Sequence, residues 1–213
     1  MSELAVCEIF KSIQGESSFT GYPCSFVRLA NCNLSCNWCD TRYAQSEGVP
    51  MSSGEIIESV QKHGTKLVEI TGGEPLLQEA TPQLCKSFLG SGFTVLVETN
   101  GSQDISVLPE GCRRIVDVKC PSSGEAGSFL ESNLSSLTGN DELKYVISDK
   151  HDFDWAVVHL TSRNLAGRLR IIFSPNTGSL SPAELASWIL ESDVPVVLGL
   201  QLHKIIWGDR RGV

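Results

Sequence analysis

The chain has 213 residues, 41% hydrophobic and 20% charged, which are the proportions of an ordinary globular domain. Its 17 basic and 25 acidic residues give a formal net charge of −8, so it lacks the electrostatic footprint of a protein that binds nucleic acid or an anionic membrane. The sequence shows neither a signal-peptide pattern nor an apolar run of about eighteen residues, so we expect a cytoplasmic protein without membrane or nucleic-acid partners.

Hydrophobic patterning predicts short strands that alternate with helices. The first helix should begin after the N-cap Ser52 and end near Gly64, and the last should begin after the N-cap Ser181 with Pro182 at its first position. Strands are predicted at residues 6–10, 24–30, 67–71, 93–98, 114–118, 143–148, 169–173 and 194–200. That last helix is predicted at residues 182–191, two further helices at 76–89 and 152–163, and a Ser/Gly-rich crossover at 121–140.

Repeated strand–helix units predict an α/β fold with a parallel sheet and right-handed crossovers. A barrel and an open sheet both satisfy that pattern. Polar residues follow several strands, and a barrel would gather those strand ends around one pocket. Because a complete eight-stranded barrel needs roughly 250 residues, we predict a partial (trimmed) parallel βα barrel that forms one domain over residues 1–213.

Three cysteines, Cys32, Cys36 and Cys39, have C-x3-C-x2-C spacing in the loop after the second predicted strand. Three thiolates on so short a loop suggest a metal or an iron–sulfur cluster, but zinc sites and closed clusters need four ligands. A cubane held by three cysteines keeps one iron open, whereas a zinc site would need a distant Cys or His. A disulfide is a weaker alternative. The remaining cysteines lack ligand spacing and are predicted to be core residues: Cys7, Cys24, Cys85, Cys112 and Cys120.

The cysteine spacing, with Trp38 before the last cysteine, resembles the radical S-adenosylmethionine (SAM) superfamily, whose open iron binds SAM and cleaves it reductively. Five further motifs resemble those of superfamily members that form 7-deazapurines for queuosine biosynthesis. They are Gln14-Gly15-Glu16, Cys39-Asp40-Thr41, Thr71-Gly72-Gly73-Glu74-Pro75, Glu98-Thr99-Asn100-Gly101 and Gln201-Leu202-His203-Lys204. Two alternatives are a glycyl-radical activase, which acts on a protein partner, and a non-catalytic zinc module.

The resemblance implies specific roles for residues of this chain. Cys32, Cys36 and Cys39 would hold a 4Fe–4S cluster and act catalytically through it, and Thr41 would bind Mg2+. SAM would contact Trp38, Gly72, Gly73, Glu74, Thr99, Asp117, Val118, Lys119, Ser174, Pro175 and Asn176. The substrate would contact Ile13, Gln14, Gly15, Glu16, Arg28, Thr71 and His203. Many relatives have Ser-Pro-Lys where this chain has Asp117-Val118-Lys119, and Lys144 could equally be a solvated strand lysine.

Ordinary structural roles compete with these assignments. Gln14 and Thr71 could cap strand ends, Glu16 could form a salt bridge in a turn, and Thr41 could cap a loop. Arg28 could form an ion pair and His203 could be a core histidine.

The resemblance also implies a reaction. The substrate would be 6-carboxy-5,6,7,8-tetrahydropterin, from which the adenosyl radical abstracts the C6 hydrogen. Ring contraction with loss of ammonia would give 7-carboxy-7-deazaguanine and regenerate SAM. A flavodoxin-like protein would supply the electron, and the enzyme would be a homodimer. The tail at residues 207–213 differs from that of relatives.

Overall fold

The computed structural model describes residues 3–213 and contains one nine-stranded sheet. The strands are β1 Glu3–Ile13, β2 Pro23–Leu29, β3 Val49–Ser52, β4 Leu67–Gly72, β5 Thr94–Thr99, β6 Arg113–Val118, β7 Glu142–Ile147, β8 Arg170–Pro175 and β9 Val197–Leu198. Their order is β3-β1-β2-β4-β5-β6-β7-β8-β9. β1 pairs antiparallel with β2 and β3, and every other pair is parallel. Because β3 and β9 are not paired with each other within residues 3–213, the barrel is open, and the predicted partial barrel is confirmed.

Over the described residues, five α-helices accompany the sheet: α1 Ser53–Gln61, α2 Thr81–Gly90, α3 Lys150–Ser162, α4 Pro182–Glu191 and α5 Leu202–Trp207. Both predicted N-caps are confirmed. Ser52 forms a capping box with Glu55, and the Ser181 hydroxyl accepts a hydrogen bond from the backbone N–H of Glu184 at 3.2 Å. Within residues 3–213, no helix has the length and apolar character needed to cross a bilayer.

The helix predicted over residues 76–89 is too long at its N-terminus. Residues Pro75–Leu77 form a 3-10 turn, and α2 begins only at Thr81. Pro82 explains the difference, because proline lacks the N–H that a helix interior needs but is tolerated in the first turn. The sequence analysis also missed β3 and α5 and predicted a β9 much longer than Val197–Leu198.

Successive side chains along each strand point alternately to the outer face of the partial barrel, which the helices cover, and to its interior. Outward residues such as Val68, Ile70 and Val97 join the apolar core under the helices. At the amino ends of the strands, the inward positions form a small apolar plug made of Cys24, Leu67, Leu96 and Ile115. Nearer the carboxyl ends, the inward positions are charged or polar and line a cavity. Of the five cysteines predicted to be core residues, Cys24, Cys85, Cys112 and Cys120 are buried, whereas Cys7 is half-buried.

Candidate active site

One cavity of about 510 Å3 lies at the carboxyl ends of the parallel strands, and Cys32, Cys36 and Cys39 line its wall. Most other predicted site residues line the same cavity: Ile13, Gln14, Gly15, Glu16, Arg28, Trp38, Thr41, Thr71, Gly72, Gly73, Thr99, Asp117, Lys119, Ser174, Pro175, Asn176 and His203. Glu74 and Val118 are the two predicted residues that do not line it. The fold thus brings segments from the whole length of the chain to one place.

The loop that carries the cysteines is pinned to the segment that follows β6. The Ser35 backbone N–H donates to Glu125 Oε1 at 2.7 Å, and the Asn37 backbone N–H donates to the Ser123 carbonyl at 3.0 Å. The Leu34 backbone N–H points at Cys32 Sγ at 3.4 Å. Among residues 3–213, no three His, Cys, Asp or Glu side chains are grouped so that they could hold a single metal ion.

Two glycines at the end of β4 allow the cysteine loop to approach the strand. A Cβ on Gly72 would collide with the backbone of Leu29, and one on Gly73 would collide with the Asn31 carbonyl and with Cys32 Cβ. Gly72 also has a φ of +146°, a backbone conformation that L side chains rarely adopt. These glycines are therefore needed for packing of the loop against β4, a reason that the sequence analysis did not anticipate.

Glu74 lies behind the cavity wall. Its carboxylate is fully buried and accepts hydrogen bonds from the Asn100 backbone N–H at 2.7 Å, the Thr99 hydroxyl at 2.8 Å and the Leu76 backbone N–H at 2.9 Å. In this structure its three hydrogen bonds all come from the protein, and the contact of this carboxylate with a ligand ammonium stays a prediction. Glu74 ties the ends of β4 and β5 together.

Val118 is the second predicted residue that does not line the cavity. It alternates with Asp117 along β6, so its side chain points into the apolar core under the helices. Asp117 faces inward, where Lys119 Nζ donates to its Oδ2 at 2.9 Å. Burial alone would lower the pKa of Lys119, but Asp117 raises it, so the Lys119 ammonium stays charged.

A layer of charged side chains lies between the apolar plug and the cavity. This charged layer consists of Glu16, Glu98, Asp117 and Lys144, and the buried Glu69 adjoins it. Lys144, which the sequence left as a possible surface residue, is buried, and its ammonium donates to Glu16 at 2.6 Å and to Glu98 at 2.5 Å. Burial alone would raise the pKa of Glu16, but Lys144 overcomes it and lowers the pKa to about 2.

Arg28 is held so that one end of its guanidinium stays available. Its Nε donates to Glu8 Oε1 at 2.8 Å, and the same oxygen accepts from the Tyr43 hydroxyl at 2.9 Å. Glu8 Oε2 accepts from Arg211 Nε at 3.0 Å, and the Arg211 guanidinium lies 3.8 Å from the Tyr43 ring centroid. Arg28 therefore forms an ion pair, which was the structural alternative to substrate binding, and its side chain also lines the cavity.

The other predicted residues are also placed by specific contacts. Gln14 Oε1 accepts from the backbone N–H groups of Glu16 and Ser17, each at 3.0 Å, which shapes the turn after β1. The Leu202 backbone N–H donates to the Gly15 carbonyl at 3.1 Å and docks the start of α5 on this turn. His203 Nε2 lies 4.0 Å from Glu16 Oε1. Thr41 precedes a 3-10 turn without capping it through its side chain, and Trp38 is half-buried.

Sequence reasoning missed Glu69 and Glu98 and did not commit to Lys144. A signal was present, because each is a charged residue inside an otherwise apolar strand that lies between two other strands. Such strands are covered on both faces, so a charged side chain within one must face an interior cavity or a partner.

The comparisons with known proteins agree with this geometry. The sequence profile described as the Radical SAM superfamily matches residues 27–157, a segment that includes all three cysteines and the first two parallel strand–helix units. The chain therefore belongs to the radical SAM superfamily, as its motifs predicted.

Sequence identity to individual relatives shows which family of the superfamily the chain belongs to. The 7-carboxy-7-deazaguanine synthase of Koribacter versatilis is 46% identical over 96% of this chain and 97% of that protein. The 7-carboxy-7-deazaguanine synthase of Chlorobaculum tepidum is 41% identical over 99% of this chain and 97% of that protein. Within the superfamily, the chain is thus a member of the 7-carboxy-7-deazaguanine synthase family. The crystal structure of QueE from Escherichia coli shares the fold, with a TM-score of 0.75 at 22% identity over 93% of this chain and 94% of that one.

Proposed function

We propose that this protein converts 6-carboxy-5,6,7,8-tetrahydropterin into 7-carboxy-7-deazaguanine with loss of ammonia, in a reaction that regenerates SAM. The observation that carries the proposal is the convergence, in one cavity, of three cysteines on a short loop with a charged layer suited to a polar heterocycle. Similarity over nearly the full length to proteins named 7-carboxy-7-deazaguanine synthase supports it.

Cys32, Cys36 and Cys39 would hold a 4Fe–4S cluster, because all three line the same cavity and three cysteine ligands leave one iron open for SAM. When bound and reduced, the cluster supplies the electron that cleaves SAM to the radical that abstracts the substrate hydrogen. The SAM-binding residues would be Trp38, Gly72, Gly73, Thr99, Asp117, Lys119, Ser174, Pro175 and Asn176, which line the cavity beside the cysteines. Ser174 Oγ and Asp117 Oδ1 are buried without a hydrogen-bond partner among residues 3–213, and a polar ligand would satisfy such groups.

The substrate-binding residues would act by charge and hydrogen bonding. Arg28, whose Nε is occupied by Glu8, would present its terminal nitrogens to the substrate carboxylate. Gln14, Glu16, Thr71 and His203 would hold the pterin ring edge, assisted by the backbone of Ile13 and Gly15. Thr41 would bind a Mg2+ ion that shares the substrate carboxylate, because Mg2+ needs few protein oxygens when substrate and water supply the rest.

The decisive experiment is anaerobic turnover by cluster-loaded protein with SAM, a reductant, Mg2+ and 6-carboxy-5,6,7,8-tetrahydropterin. We expect 7-carboxy-7-deazaguanine and free ammonia, detected by mass spectrometry and an ammonia assay, and no product with Cys36→Ala. Iron and sulfide analysis should give about four of each per chain, whereas stoichiometric zinc would support the zinc module. Formation of a glycyl radical on a protein partner, without deazaguanine product, would support an activase.

Three broader features belong to the same proposal. We propose that residues 1–213 form one catalytic domain, because the sheet runs without interruption from β3 to β9. The active form would be a cytoplasmic homodimer that receives electrons from a flavodoxin-like protein. Sedimentation of the cluster-loaded protein tests the dimer, and turnover with reduced flavodoxin as sole reductant tests the donor.

A further inference from the structure

Glu69 is a buried residue inside the barrel, and the proposed function assigns no role to its carboxyl group. It lies at the middle of β4, between Phe26 of β2 and Leu96 of β5, and is 2% exposed. Its side chain lines the cavity directly above the apolar plug. Its Oε2 accepts a hydrogen bond from Gln14 Nε2 at 3.0 Å. In residues 3–213, no Lys, Arg or His forms an ion pair with it.

The groups around Glu69 would not compensate a negative charge on its carboxylate. Glu98 on β5 and Glu16 after β1 are both acidic, and the nearby Lys144 ammonium on β7 is already bonded to these two carboxylates. The Cys24 thiol on β2 lies on the other side and is neutral, since burial raises its pKa. Burial first, and then Glu98, raise the pKa of Glu69 to about 8, against the opposing effects of Gln14 and Lys144.

Among residues 3–213, one side-chain donor, Gln14 Nε2, bonds to the Glu69 carboxyl group, so the carboxyl group can accept further hydrogen bonds from a ligand. The 2-amino-4-oxopyrimidine edge of a pterin presents adjacent N–H and NH2 donors, and such donors pair strongly with a carboxylate. The same edge suits the neighbouring Gln14 amide, whose oxygen and nitrogen are both held in place.

We propose that Glu69 is a specificity-determining residue that accepts hydrogen bonds from the amino-pyrimidinone edge of the substrate and releases its proton when the substrate binds. This inference rests on the proposed function and adds to it a recognition group in the centre of the barrel. An analogue without the 2-amino group would leave this carboxyl unsatisfied, which is how buried polar groups reject close analogues.

The test uses cluster-loaded protein and Glu69→Gln, which keeps the shape and removes the charge. We expect the variant to raise KM for 6-carboxy-5,6,7,8-tetrahydropterin about 10- to 100-fold while kcat changes less than about threefold. Its preference for the substrate over the 2-deamino analogue should fall about tenfold. Glu142→Gln is the matched control, because Glu142 is a buried carboxylate at the far end of β7 that does not line the cavity, and its KM should match that of the wild type.

The pH dependence of KM distinguishes direct recognition of the substrate by Glu69 from a purely structural role, which would leave that dependence unchanged. Below the ligand-free pKa of about 8, binding must expel a proton, so wild-type KM should fall as pH rises from about 6 to about 8 and then level off. Glu69→Gln should lack this dependence. Calorimetric titration of the unreduced wild-type protein with substrate at pH 7, in buffers of different ionisation enthalpy, should show that protons are released on binding.

The outcomes separate the two proposals. Absence of 7-carboxy-7-deazaguanine from the wild type would refute the proposed function itself. A productive wild type with no proton release at pH 7, or a Glu69→Gln protein with unchanged KM, selectivity and pH profile, would overturn the role of Glu69 alone. If Glu69→Gln fails to fold, the calorimetry on the wild type still decides, because the proton release requires no variant.

Discussion

Replacing Lys144 with methionine would remove the one ammonium group at the centre of the charged layer. Its Nζ lies 2.6 Å from Glu16, 2.5 Å from Glu98 and 3.7 Å from Asp117, and its side chain is 5% exposed. Methionine has a similar length and keeps the apolar contacts of the lysine stem. The change therefore tests the charge of Lys144 rather than its volume.

The expected loss of stability is large because the carboxylates stay behind. Removing one partner of a buried ion pair costs about 3–5 kcal/mol, since the remaining charge is left unpaired. In the wild type the pKa of Glu16 is held at about 2, below its value in the unfolded chain, so its contribution is complete above about pH 4.5 and is lost as pH falls toward 2. In Lys144→Met, burial instead raises the pKa of Glu16, so the deficit should be largest near neutral pH and smaller near pH 4.5.

The assay is urea unfolding of cluster-loaded protein under anaerobic conditions, followed by tryptophan fluorescence at pH 7 and pH 4.5. Lys62→Met is the control, because Lys62 pairs with Glu58 on the surface at 2.9 Å and both side chains are about 70% exposed, so it should cost no more than about 0.5 kcal/mol. A loss below about 1 kcal/mol for Lys144→Met, or a loss equal at both pH values, would refute the reasoning.

Three further predictions concern positioning, packing and capping. Glu8→Gln should raise KM for the substrate about tenfold with little change in kcat, because Glu8 orients Arg28, and steady-state kinetics would show it. Gly73→Ala should lower iron content by at least about half by displacing the cysteine loop, whereas Gly90→Ala, at a position with open space, should not; equal iron in both would contradict the packing argument. Ser181→Ala should cost about 1 kcal/mol in urea unfolding through loss of the α4 cap, and a loss below about 0.3 kcal/mol would mean that the cap is not used.

The parallel strands could be predicted because their apolar runs are continuous. β4 and β6 lie inside the sheet, so both faces are covered and the sequence of each is mostly apolar. The sequences of β3 and α5, by contrast, contain no continuous or periodic apolar pattern that would predict them. β3 contains Pro50, which is tolerated only because one side of an edge strand is unpaired. α5 has no buried residue, so no periodic apolar face could reveal it.

The site could be predicted where a motif lies on one continuous segment, as with the three cysteines. It was not predictable where residues distant in the sequence combine, because which of Glu16, Glu98 and Lys144 face each other depends on strand order. The direction of a side chain also had to come from the structure. Glu74 follows the strand end as expected, yet its carboxylate turns toward the Asn100 backbone rather than toward the cavity.

The cysteine loop and the charged layer should differ in how readily they open. The loop between β2 and β3 contains a single 3-10 turn, Arg42–Gln45, whereas the charged layer is built on paired strands. Loop segments, whose contacts lie outside the strand ladder, open locally at a smaller free-energy cost than paired strands. Chelators and oxygen should therefore reach the thiols through fraying of this loop, while amide hydrogens of β4 to β7 stay protected from exchange. Stripped protein would then keep its sheet and accept new iron without refolding.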